Sequence, residues 1–208
     1  MSLNHIHLYE GDLPGSLSFG PSVAIDTETM GLNPKRDKLC LVQLSAGDGQ
    51  CHMVKFDIEK PYEAPNLKKL LSNPKILKIF HFARFDLGIL YHTFGIMPMP
   101  VYCTKVASKF GRTYAPKHGL KELCTSLLNQ KLDKEQQSSD WSAPTLSKEQ
   151  LAYAAHDVLY LHALKEILDQ ALIRTGREGL AQVCFNFLPT VAALDLQGWE
   201  VGNLFAHD

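Results

Sequence analysis

Residues 22–26 (SVAID) and 39–45 (LCLVQLS) are short apolar runs rich in β-formers, separated by a stretch that holds Gly31, Asn33 and Pro34. Such runs read as paired strands at the start of a sheet. Residues 51–56 (CHMVKF) follow through Gly47-Asp48-Gly49, which is hairpin chemistry, and read as a third strand. His5–Tyr9 reads as another. Residues 66–72 suit a short helix capped by Asn66, residues 76–80 (ILKIF) a buried strand, and Ala83–Thr93 a helix. The second half is mainly helical. Apolar residues recur at helical spacing over Thr104–Phe110 and Leu120–Leu128, and the polar stretch Asp133–Pro144 reads as a loop. Ser147 then caps one long helix running to Ile173 with no Gly or Pro inside it. Gly176 breaks the pattern before a further apolar helical segment, residues 178–197, which contains Pro189. Strands first, with helices flanking and following them, predict an α/β fold: one domain on a mixed sheet. At 208 residues the chain is long enough for one well-buried core and short for two full domains.

Composition excludes several function classes. Net charge is −1, from 21 basic and 22 acidic residues, which argues against a general coat for polyanions. No run approaches the ~20 consecutive apolar residues of a membrane span, and MSLNHIHLYEGDLPG lacks the basic start and apolar core of a secretory signal. Cys40, Cys51, Cys103, Cys124 and Cys184 form an odd set without CxxC spacing, so free thiols in the cytoplasm are expected rather than disulfides or zinc. Two basic runs contain no acid: Lys68, Lys69, Lys75, Lys78 and Arg84, then Lys105, Lys109, Arg112, Lys117 and Lys121. Each suits a solvated helix face, or together a surface that meets phosphate.

Four acids stand in apolar contexts: Asp26 and Glu28 in VAIDTETMGL, Asp86 in HFARFDLGIL, and Asp157 in LAYAAHDVLYL. Carboxylates are seldom placed among apolar residues unless paired or bound to a cation. Asp26 and Glu28 flank Thr27, so on a strand they share one face. Tyr153 and Asp157 are at i, i+4 and share a helix face, where Ala154 and Ala155 permit close approach to a neighbour. Each context alone has an ordinary explanation: surface acids, a core tyrosine, a first-turn acid beside the helix dipole. Gathering four carboxylates requires divalent metal to offset their repulsion.

Taken together, these contexts resemble the three motifs of the DEDD 3′→5′ exonucleases in their tyrosine-containing subclass. Asp26-Thr27-Glu28 matches the first, Phe85-Asp86 the end of the second, and Tyr153-Ala-Ala-His-Asp157 the third. The stretch SSDWSAPTLSKEQLAYAAHDVLYL is similar to ribonuclease D, and the resemblance covers roughly residues 20–170. It implies a ribonuclease H-like fold, with residues 1–175 as the exonuclease domain and 176–208 as a helical extension of it. It also implies a catalytic set of Asp26, Glu28, Asp86, Tyr153 and Asp157. The four acids would hold two cations, Mg²⁺ or Mn²⁺, since hard oxygen ligands favour these over zinc. Tyr153 would orient the attacking water and help deprotonate it. The Thr29 backbone would meet the 3′-hydroxyl, Leu32 would wedge against the terminal base, and His81 joins them as a substrate-binding residue. The product would be a 5′-nucleoside monophosphate.

Two departures from the pattern concern substrate. Phe82 stands where the second motif usually has Asn, and Ala143-Pro144 follow Asp-Trp-Ser where an Arg is common. The extra helical nucleic-acid-binding domains of full-length ribonuclease D are not expected here. Small single-domain members of the group degrade very short RNA and assemble as closed rings, so dinucleotides and a homo-oligomer, an octameric ring included, are expected. The apolar residues of 179–196, with Trp199 and Phe205, point the same way. The alternatives are an exonuclease acting on longer RNA or DNA, a non-catalytic nucleic-acid-binding module, and a purely structural subunit.

Overall fold

The computed structural model describes residues 5–132, 136 and 139–207. Its sheet has the order β1-β4-β3-β2-β5-β6, formed by β1 (Ile6–Glu10), β2 (Ser22–Thr29), β3 (Leu39–Ser45), β4 (Cys51–Lys55), β5 (Leu77–Phe80) and β6 (Val101–Cys103). The β2-β3 and β3-β4 pairs are antiparallel, while β1-β4, β2-β5 and β5-β6 are parallel. This is the expected mixed sheet. All seven residues of the central strand β3 are buried, as befits a strand covered on both faces.

The helices are α1 (Pro65–Ser72), α2 (Arg84–Phe94), α3 (Thr104–Gly111), α4 (Leu120–Leu128), α5 (Lys148–Leu159), α6 (Leu161–Thr175), α7 (Glu178–Gln197) and α8 (Val201–Leu204). Helix α5 lies on β2 and β3, α6 packs on α3 and α4, and α7 packs along α2 and β6. One continuous core joins sheet and helices through residues such as Val23, Ile25, Leu41, Ile79, Leu87 and Val158.

Three expectations need correction. Asn66 is not the cap of α1. Pro65 opens that helix, whose missing N–H costs nothing in the first turn. The Asp12 carboxylate, arriving from the loop after β1, accepts the backbone N–H groups of Asn66 and Leu67 at 2.9 Å each. The long helix from Ser147 is two helices, broken at Tyr160, where φ is −101° and ψ −7°. The break lets α5 follow the sheet while α6 turns onto α3 and α4. Two members of the basic run from Lys68 to Arg84 are committed to partners within the protein and do not face phosphate. Lys78 is fully buried and donates to the carbonyls of Asn73 and Met99, and Arg84 pairs with Asp195 of α7. Within the expected loop, residues 133–135 and 137–138 lie outside the described residues.

Helix α7 spans 20 residues with a mean hydropathy of 1.3, long and apolar enough by length and composition to cross a membrane. Its apolar residues divide between two sides. Ala181, Phe185, Pro189, Val191 and Ala192 are buried, whereas Leu180, Val183 and Phe187 are exposed.

Candidate functional site

Strand β2 carries Asp26 and Glu28 outward on the same face, with Thr27 on the other. Across the sheet on the first face lies α5. Its Ala154 and Ala155 are fully buried, and this close approach brings Asp157 to the strand. Carboxylate oxygens of Asp26, Glu28 and Asp157 lie within 4.8 Å of one another. Asp86 comes from the first turn of α2 and is itself buried. Thr27 Oγ1 donates to Asp86 Oδ1 at 2.7 Å, so the residue between the two strand acids holds the fourth. All four carboxylates line one cavity of about 770 Å³, together with Tyr153, Thr29, Leu32, His81, Phe82, Lys105, Lys121 and Trp141. The structure therefore brings Asp26, Glu28, Thr29, Leu32, His81, Asp86, Tyr153 and Asp157 together around one cavity.

Electrostatics follow from that gathering. Burial pushes the Asp26 carboxyl up to about 7, against an opposing hydrogen bond from the Thr27 backbone. Glu28 rises well above its ordinary value, first through burial and then through the charges of Asp26, Asp157 and Asp86, while a hydrogen bond from Gln43 opposes the rise. Asp86 rises for the same reasons, burial first and Asp26 next, with Thr27 opposing. Without a cation this cluster holds protons that ordinary carboxylates would lose. The donor set fits divalent metal: carboxylate oxygens of three residues lie within 4.8 Å of one another, close enough to share one ion, and all of them are hard oxygens.

Tyr153 lies beside the acids, its phenol pushed upward by burial and by Asp157, Glu28 and Asp26. The neutral hydroxyl is the form present, with its ring 6.0 Å from that of Trp141. The segment before α5 is fixed by a capping box. Gln150 N–H donates to Ser147 Oγ, and Ser147 N–H donates to Gln150 Oε1. Gln150 Nε2 donates onward to Ser139 Oγ and the Asp140 carbonyl, seating the Asp-Trp-Ser turn against the cavity.

His81 is drawn down to about 3, by burial and then by Lys105, and so stays neutral. Thr104 Oγ1 donates to the Phe80 carbonyl and lies 2.9 Å from His81 Nδ1. With its one proton committed, the hydroxyl must accept, so Nδ1 carries the imidazole proton and Nε2 is left as an acceptor.

Leu32 is 86 % exposed, so it is a projecting residue and not a core one. Its loop is braced by Asp37, whose carboxylate accepts from the Asn33 backbone and from the Arg36 guanidinium. Gly31 leaves room for that carboxylate: a Cβ there would stand 2.3 Å from Asp37 Oδ2. Thr27 and Gln43 were not singled out from the sequence, and Lys105 entered only as a member of the second basic run. Gln43 pairs in register with Asp26 and reaches Glu28 at 3.5 Å, and an alternation count along β3 from that pairing is the signal that finds it.

Comparison with known proteins matches residues 12–173, well over half of the chain, to a 3′-5′ exonuclease family. The chain belongs to that family. Within it the likeness is to the ribonuclease D group. Ribonuclease D of Gluconacetobacter diazotrophicus is 39% identical over 158 residues, covering 76% of this chain and 39% of that protein. The chain thus spans about two fifths of the length of the curated relatives it matches. Among solved structures, Brucella melitensis NrnC bound to pGG is 53% identical with a TM-score of 0.93, covering 98% of each chain. The same nuclease with bound Mg²⁺ has a TM-score of 0.92 at 53% identity, covering 98% of this chain and 99% of that one. These likenesses agree with the ribonuclease H-like fold and with the small single-domain type expected from the sequence.

Proposed function

We propose that this chain is a 3′→5′ exoribonuclease that uses two divalent cations and releases 5′-nucleoside monophosphates from very short RNA, dinucleotides above all. The observation that carries the reading is the convergence of Asp26, Glu28 and Asp157 within 4.8 Å on a cavity wall, with Asp86 held beside them by Thr27. Asp26, Glu28 and Asp157 hold one cation, and Asp26 and Asp86 serve the second. Bound there, Mg²⁺ or Mn²⁺ supplies the positive charge that steadies the attacking and leaving oxygens of an in-line displacement. The neutral Tyr153 hydroxyl orients the water that attacks the terminal phosphodiester. The Thr29 backbone meets the 3′-hydroxyl, Leu32 wedges against the terminal base, and His81 offers Nε2 to a sugar hydroxyl or base N–H.

Substrate length is read from the size of the site. A cavity of about 770 Å³ falls in the ~300–1,000 Å³ range that holds a drug-sized ligand, which suits two nucleotides better than an extended track. The pGG named with the Brucella melitensis relative supports the same size. The exposed side of α7, with Leu180, Val183 and Phe187, continues to Trp199 and Phe205. We read residues 176–208 as a helical extension whose exposed apolar side forms a homo-oligomer, a closed ring of eight fitting the point-group symmetry usual for such assemblies. Five free cysteines suit a cytoplasmic site of action.

Replacing one carboxylate tests the assignment. Asp157→Asn keeps shape and should lower monophosphate release by about a hundredfold to a thousandfold, the scale of losing a main electrostatic element, with an unchanged far-UV spectrum. Release within tenfold of the unmodified chain would remove Asp157 from the site.

A further inference from the structure

Between β5 and α2 the backbone turns through Phe82, which has a φ of 66°. That left-handed conformation is unfavourable for a bulky L-residue. It is held because both flanks are anchored. Phe80 and Ala83 are fully buried, His81 is bound to Thr104, and the Phe85 N–H donates to the Phe82 carbonyl to start the helix. The result is that a large aromatic ring, 46 % exposed, projects into the cavity that the carboxylates line. Strain of this kind gathers at functional sites. Lys105 lines the same cavity and places its ammonium 4.1 Å from the ring centroid. Among the described residues it pairs with no carboxylate.

A nucleotide presents a flat base and an anionic phosphate joined by a sugar, and an aromatic face beside an unpaired ammonium matches that pattern. The cavity also has two projecting apolar walls from different segments, Leu32 after β2 and Phe82 before α2, and a dinucleotide has two bases. We propose that Phe82 and Lys105 form the subsite for the nucleotide on the 5′ side of the scissile bond, the ring stacking on its base and the ammonium meeting its phosphate. This rests on the proposed exonuclease reading, with Leu32 taking the terminal base. On binding, the ammonium leaves the ring for the phosphate and the base covers the ring in its place. Every base has a π-face, so this subsite is tolerant of base identity and reads the presence of a second nucleotide.

The test compares a 5′-phosphorylated diribonucleotide with the same molecule lacking the 5′-side base. In the unmodified chain, loss of that base should raise KM about tenfold and leave kcat in place, the lower part of the range for base–aromatic stacking. Phe82→Leu, unbranched at Cβ and so no more strained, should raise KM about tenfold on the complete dinucleotide and show no further loss on the baseless one. Phe82→Tyr should restore the difference. Lys105→Gln should raise KM and lower the slope of log affinity against log salt by about 0.7, one phosphate contact on a single strand. Cleavage of both substrates with equal KM by the unmodified chain would overturn the subsite and leave the exonuclease reading standing. No monophosphate from either substrate would overturn the reading, and the subsite with it.

Discussion

At the scale of residues, the site consists of carboxylates whose protonation and position are set by their neighbours. Thr27 is the clearest case. Its hydroxyl is the side-chain donor to the buried Asp86, and hydrogen bonds to charged groups contribute ~1.5–3 kcal/mol. Thr27→Val removes the donor and keeps the shape, so Asp86 loses its anchor. Turnover should fall about tenfold to a hundredfold and the melting temperature by several degrees (about 2–4 °C per kcal/mol), and a rate within twofold of the unmodified chain would show that Asp86 needs no such support. The raised carboxyls also link pH to metal. Asp26 titrates near 3.9 when unfolded and at about 7 in the folded chain, so the folded state holds the extra proton between those values. By linkage, the metal-free fold is therefore stabilised by protons below about pH 4 and loses that stabilisation as pH rises through 7. On the proposed reading a divalent cation such as Mg²⁺ replaces the protons. The gain in melting temperature on adding Mg²⁺ to the chelated protein should thus grow from pH 5 to pH 8. Taking the difference at each pH cancels the opposite contribution of His81, whose folded value is depressed to about 3. An equal gain at both pH values would contradict the linkage. Asp26, Glu28, Tyr153 and Asp157 were legible in the sequence because strand alternation and the i, i+4 spacing are local rules. Thr27 was not, since its partner lies 59 residues away, and neither was Lys78, whose burial depends on carbonyls from two other loops.

At the scale of elements, the strands that carry the site were readable as short apolar runs of β-formers and the helices from their spacing, whereas junctions were not. Nothing in the sequence breaks the run from Ser147 to Ile173. The break at Tyr160 exists because α5 is committed to the sheet and α6 to α3 and α4, a demand of packing and not of propensity. Strand β6 has three residues, too few to show a period. The cap of α1 arrives from Asp12, more than fifty residues upstream. Helix α7 has a face left exposed among the described residues, where Val183 is 64 % exposed and Phe187 makes a ring contact with Phe205 at 6.3 Å. If that face joins subunits, light scattering at micromolar concentration should give several multiples of 23.2 kDa. The pair Val183→Lys and Phe187→Lys should reduce it to one. A mass of one chain before substitution would end the oligomer proposal.

At the scale of the whole molecule, a near-neutral chain keeps its positive charge local. Lys105 and Lys121 line the cavity, while Arg112 is buried and bonded to Ser108 and Ser126. This distribution fits the proposed short substrate, which needs a few phosphate contacts and no long track. The most direct measurement is a side-by-side digestion, with Mg²⁺, of a 5′-phosphorylated diribonucleotide, a long single-stranded RNA and duplex DNA, following mononucleotides released. The account predicts complete conversion of the dinucleotide to 5′-monophosphates, with kcat/KM at least about tenfold above that for the long RNA and a shallow salt dependence of about two phosphate contacts. Faster cleavage of the long RNA or the duplex, with a steep salt dependence, would contradict it.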